Sequence, residues 1–147
     1  MSPETWLEIA LAELADHVAE VPGVGNNARI VEYHSTTTGG ESPDEIPWCS
    51  SFVCWVMEKA GIRSTRSKWA RSWLTWAEGG ALQLARFGAI AVLARGVPGS
   101  GQGHVGFPVA WRGNRVALLA GNQGNRVSIE WAAEDRVIGY RWPLGVP

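Results

Sequence analysis

The residues of this chain suited to nucleophilic or proton-transfer chemistry are few: two cysteines and three histidines in 147 residues. Both cysteines fall in PWCSSFVCW, residues 47–55. Five positions apart on a helix, Cys49 and Cys54 point to opposite sides, a poor placement for a bridge or a shared metal. Pro47 suits a first helical turn and Gly61 a stop, so a helix carries Cys49 at its start and Cys54 more than a turn later, among Phe52, Val53, Trp55 and Val56. Unsatisfied N–H groups and the positive end of the helix dipole favour a thiolate at a helix start. Cys49 is therefore the candidate nucleophile, although buried filler also accounts for it, while Cys54 reads as a small buried hydrophobe.

A thiol nucleophile needs a base, and the base needs a third group to hold its tautomer. His104 opens the apolar segment HVGFPVAW just after a glycine-rich turn, and Asn122 follows RVALLA in AGNQGN. If those segments form a hairpin turning at Gly113, His104 and the region of Asn122 reach the same end of it. Cys49, His104 and Asn122 then form a candidate Cys-His-Asn set. The plainer alternative makes His104 a structural residue and Asn122 a turn former. His17, beside the apolar stripe of the first helix, reads as a boundary residue.

The elements that must position this set divide into two halves. Pro3 to Glu20 is predicted helical, with Leu7, Ala10, Leu11, Leu14 and Val18 on one face, ended by Pro22 and Gly23. Residues 21–46 are turn-rich, with a short helical turn around Ile30, Val31 and Tyr33, and could wall a cleft or simply connect. Asp44 can act near the start of the cysteine helix. A further helix is predicted from Ser67 to Ala77, where Trp69, Trp73 and Trp76 line one face as a packing surface or an aromatic recognition surface. Short apolar segments at 89–94, 104–111, 115–120, 126–131 and 136–142, separated by tight turns, give an antiparallel meander, with Pro108 marking a bulge or edge. The class is α+β: N-terminal helices, about 3–80, packed on a small antiparallel sheet, about 86–143, in one domain over 1–147.

Lys plus Arg number 13 and Asp plus Glu 14, so global charge gives no reason to expect nucleic acid or an anionic membrane. The distribution is uneven: residues 1–58 carry ten acids against Arg29 alone, and residues 59–126 ten bases against Glu78 alone. No run is long enough to span a membrane, and the acidic start has no basic leader region. The expectation is a chain made in the cytoplasm without a signal peptide, folding in a reducing compartment, monomeric, with neither cofactor nor metal.

PWCSSFVCW, GHVGFPVAW, LAGNQGN and the closing YRWP, with PGVGNNARIVEY and WARSWLTW as flanking landmarks, resemble the pattern of CHAP-related cysteine peptidases and amidases of phages and prophages, over about Trp6 to Pro143. The resemblance implies a papain-like, CHAP-like cysteine hydrolase fold with the nucleophile on a central helix. It also implies cleavage of an amide bond in bacterial peptidoglycan, as an N-acetylmuramoyl-L-alanine amidase or an endopeptidase, through a thioester. Carried over residue by residue, the nucleophile falls on Cys49, the histidine on His104 and the third polar residue on Asn122, with Gln123 next to it. Relatives often carry an acidic residue where this chain has Ala89, between Gly88 and Ile90. Such an enzyme is expected to be a single catalytic domain with no separate wall-binding domain, and, directed at the wall, to need a holin-like pore or another export route. A noncatalytic wall-binding or phage structural module, and a cysteine amidase acting on another substrate, are the alternatives.

Overall fold

A computed structural model describes residues 2–23 and 25–147. Met1 and Val24, the latter inside PGVGNNARIVEY, lie outside the described residues. Three helices, α1 (Pro3–Ala15), α2 (Ala28–Ser35) and α3 (Cys49–Lys59), precede six strands: β1 (Gly79–Leu82), β2 (Ile90–Ala94), β3 (Gly103–Arg112), β4 (Arg115–Gln123), β5 (Arg126–Ala133) and β6 (Val137–Pro143). The strands form one sheet in the order β1-β6-β2-β3-β4-β5, every pairing antiparallel. The α+β class holds, with two differences in the sheet: the meander runs only from β2 to β5, and β6 returns to the far side of β2, where it pairs with a strand, β1, that the sequence did not announce. Gly79-Gly80 lacks the apolar alternation that marks a strand, and pairing with β6 supplies what propensity does not.

Alternation along the strands sorts the core into two faces. On β2, Ile90 and Val92 face the helices, whereas Ala91 and Leu93 join Val116 and Leu118 in a smaller cluster on the other side. Pro108 removes a ladder donor from β3, and the register with β4 shifts between Pro108 and Ala110, the bulge its position implied.

Several helical expectations are corrected. α1 ends at Ala15 instead of Glu20, because His17 takes a left-handed conformation (φ 55°) that turns the chain toward the sheet, where Ala19 bridges to Arg126. Leu11 is half exposed, and Trp6, fully buried with its Nε1 donating to Gly88 O at 2.8 Å, does the anchoring. Asp44 caps no helix; its carboxylate accepts from the backbone N–H groups of Val21 and Asn27, both at 2.8 Å, and so closes the long loop on itself. The helix predicted over 67–77 is a 3₁₀ segment, Ala70–Thr75. Its tighter winding breaks the tryptophan stripe: Trp73 and Trp76 are buried edge to face at 4.9 Å, and Trp69 stays 57% exposed.

α3 runs through the centre of the molecule, and nine of its residues, Cys49 to Met57, are buried. Its approach to the sheet depends on Gly121 of β4: a Cβ there would stand 2.6 Å from the Trp48 ring and 2.9 Å from Phe52 Cβ. Such distances are not tolerated between carbon atoms, so glycine at this point lets the start of α3 lie directly on β4.

Candidate active site

Cys49 is the first residue of α3, preceded by Trp48 as N-cap. It is 5% exposed and unpaired, and its sulfur lies against backbone N–H groups of Val105, Ser50 and Cys49 itself. Burial pushes the thiol pKa up; those N–H groups and the Arg95 guanidinium pull the other way without reversing it. The resting form at neutral pH is therefore the thiol, and a base must take its proton during attack. Contact with Val105 places the sulfur beside the first residues of β3, which bring in His104.

Cys54 lies elsewhere, fully buried, its sulfur 3.7 Å from both Thr65 Oγ1 and Ser67 O. The two serines after Cys49 are structural pins. Ser50 Oγ donates to Ser67 O at 2.6 Å and accepts from Trp73 Nε1 at 3.0 Å, tying α3 to the 3₁₀ segment. Ser51 Oγ meets His34 Nδ1 at 2.8 Å, tying α3 to α2. His34 and Ser51 are both fully buried and belong to the scaffold.

The imidazole of His104 is 8% exposed, and its Nε2 lies 2.9 Å from Gln123 Oε1. The orientation of that amide is fixed by its other end. Gln123 Nε2 donates to two carbonyls, Leu118 O at 3.1 Å and Ser128 O at 3.0 Å, which can only accept. Oε1 must then face the ring, and His104 Nε2 must be the protonated donor. The lone pair of the neutral ring is consequently on Nδ1, leaving that nitrogen as the proton acceptor. Burial lowers the His104 pKa, the Gln123 hydrogen bond opposes this, and Arg95 and Arg136 add to the lowering, so the ring is neutral and basic at neutral pH.

The group that touches the ring is thus Gln123, where the sequence pointed to Asn122. The cause is local geometry. Gly124 and Asn125, at φ 61° and 59°, make the β4–β5 turn, so Gln123 is the last strand residue, paired with Arg126. Asn122 sits in a left-handed conformation (φ 59°) where the register slips between Ala120 and Gln123, and the slip turns Gln123 inward. The Gly-Asn turn after NQ was the signal that could have marked Gln123 as the strand end. Asn122 is partly exposed on the surface of the site.

Two depressions with part of their lining in common make up the candidate cleft. One is lined by Cys49 with Pro47, Lys68, Trp69 and Gln102, the other by His104 with Gln123, Glu130, Trp131 and Arg136. Arg95 and Asn122 line both. Among the described residues of the long loop before α3, only Pro47 reaches this cleft; Lys68 Nζ holds the loop by bonding Thr37 Oγ1, Thr38 O and Gly40 O. Ala89, fully buried against the helices, has no place for an uncompensated carboxylate. Among the described residues, no group of three or more His, Cys, Asp or Glu side chains converges as a metal site would require, and no helix is long and apolar enough to cross a membrane.

The CHAP domain family model matches residues 41–122, from the loop before α3 through Cys49 and His104 to Asn122. No curated protein sequence matches. Among solved structures, that of Ly7917 is similar at 16% identity and a TM-score of 0.55, over 97% of this chain and 63% of that one. A Staphylococcus aureus protein described as similar to a lipoprotein of the NLP/P60 family is similar at 17% identity and a TM-score of 0.50, over 96% of this chain and 42% of that one. The chain spans less than two thirds of either structure, and at these identities the likeness is one of fold.

Proposed function

Because this chain belongs to the CHAP domain family, a family of peptidoglycan-directed hydrolases, we propose that its cleft hydrolyses an amide bond of the cell-wall peptide with Cys49 as nucleophile. The observation that carries the reading is the contact between His104 and Gln123: Gln123 holds Nε2–H and leaves Nδ1 as the base, in a depression that shares Arg95 and Asn122 with the one lined by the buried Cys49 thiol.

In the proposed reaction His104 Nδ1 takes the Cys49 proton as the sulfur attacks the carbonyl carbon, and the carbonyl π pair moves to oxygen. Backbone N–H groups at the start of α3 stabilise that oxyanion. The C–N bond then breaks, and the imidazolium returns the proton to the departing amine. Water, deprotonated by the same nitrogen, attacks the thioester and regenerates the thiol. Gln123 is the positioning residue, and Asn122 is assigned to the substrate surface. Being neutral, Gln123 stabilises the imidazolium less than a carboxylate would, in keeping with a ring that rests uncharged. The reading covers both an N-acetylmuramoyl-L-alanine amidase and an endopeptidase.

The test is digestion of purified peptidoglycan by the parent protein and by Cys49→Ala, under reducing conditions without added metal, with fragments identified by mass spectrometry. Release of fragments with new amino and carboxyl termini by the parent alone is the expected result, and those termini name the bond. Folded parent protein that releases nothing from several wall chemistries would contradict the proposal in favour of a binding or structural role.

A further inference from the structure

Three cationic side chains line the cleft, and two are already engaged. Lys68 Nζ is held by one hydroxyl and two carbonyl oxygens of the loop it straps. Arg136 donates through Nε and Nη2 to Ala94 O, at 3.3 and 3.2 Å. Arg95, the first residue after β2, differs from both. Its backbone is fixed, since its N–H donates to Gln102 O at 3.2 Å and its carbonyl accepts from Ser100 Oγ at 3.1 Å. Its guanidinium, however, has neither an ion-pair nor a hydrogen-bond partner among the described residues. It is also exposed.

Position gives that free guanidinium its meaning. Arg95 lines the depression that holds Cys49 and the one that holds His104, so any chain bound across both must pass it. The Cys49 depression has no Asp or Glu in its lining, and the His104 depression has only Glu130. A planar fork of N–H donors with its own anchored backbone is suited to bidentate pairing with a carboxylate. A pentapeptide or shorter stem of the wall offers such groups: the α-carboxylate of a γ-linked D-glutamate, or a free C-terminus, each of which some walls convert to a carboxamide.

We propose that Arg95 is the specificity-determining residue of the cleft, binding a free carboxylate of the stem peptide so that unamidated substrates are selected over amidated ones. The inference rests on the wall-peptide reading above and deepens it. The charge of Arg95 also bears on both reacting groups: it adds to the lowering of the His104 pKa and opposes the rise that burial imposes on Cys49.

The experiment separates recognition from catalysis by measuring binding in the inactive Cys49→Ala protein. The probes are N-acetylmuramoyl-L-alanyl-γ-D-glutamyl-L-lysine with its carboxyl groups free, and the same compound with each carboxyl converted to carboxamide, titrated calorimetrically. The free acid is expected to bind at least about tenfold more tightly, and Cys49→Ala/Arg95→Ala to reduce that preference to within about twofold. Cys49→Ala/Arg112→Ala, which removes the same charge at the distant β3–β4 turn, is expected to keep the preference. Equal preference with and without Arg95, or no preference at all, would overturn the inference while leaving the wall-peptide reading in place. Failure of both probes to bind would overturn the wall-peptide reading and the inference with it.

Discussion

At the scale of single residues, the decisive contact is between His104 and Gln123, next to the Asn122 that the sequence reading placed in that role. Gln123→Ala removes the acceptor that fixes the Nε2–H tautomer and leaves Leu118 O and Ser128 O without their donor, so kcat is expected to fall by at least about tenfold, as removal of a base-orienting group does. Asn122→Gly, which keeps the left-handed backbone comfortable, is expected to change kcat by less than about threefold and to act through KM. Steady-state kinetics on a soluble wall fragment compare the two, and a larger kcat loss for Asn122→Gly would reverse the assignment. The places of Cys49 and His104, at the start of a helix and of a strand, were legible from Pro47 and from the glycine-rich turn before HVGF. Gln123 was obscured because a one-residue register slip decides which of two adjacent amides points inward, and periodicity carries no information about a slip.

At the scale of elements, the cysteine helix was readable from Pro47, the apolar run and Gly61, while the segment after it was misjudged. Trp69, Trp73 and Trp76 have helical spacing, yet Trp73 is drawn to Ser50 and Trp76 to Arg63 O, and these tertiary bonds fit the tighter 3₁₀ winding. A tertiary bond also joins α2 to α3, where buried His34 meets Ser51 through Nδ1 while its Nε2 has no hydrogen-bond partner among the described residues. Burial pushes the His34 pKa below the ordinary histidine value and nearby Lys68 adds to this, against smaller opposing effects from the Ile46 and Pro43 backbone. A depressed pKa means that the unfolded chain binds protons more readily than the folded one. The associated stability is complete above about pH 6.5 and is lost as pH falls through the lower folded value. His104 contributes with the same sign. Urea midpoints are therefore expected to drop between pH 7.5 and pH 5, and His34→Asn, which keeps a polar atom facing Ser51, to flatten part of that slope. An unchanged slope in His34→Asn would remove His34 from the account.

At the scale of the whole molecule, the helices-then-strands order was plain in the sequence, whereas the place of β6 beside β2 was not, since nothing local tells a strand to return across the sheet. That return completes the sheet on the side away from β4 and β5, and the cleft opens where α3 meets the starts of β3 and the end of β4. Of the basic stretch 59–126, Lys68 and Arg95 line the Cys49 depression, and Arg95 with Arg136 lines the His104 depression. Everything proposed for the molecule requires that Cys49, and not the buried Cys54, carries the acyl group. The most direct measurement is to quench the parent protein with acid during turnover of a soluble wall fragment, digest it, and map any acyl adduct by mass spectrometry. The account predicts a peptide-acyl thioester on the fragment containing Cys49, assigned to that residue by fragmentation and absent from Cys49→Ala. An adduct on Cys54, or turnover that persists in Cys49→Ala, would contradict it.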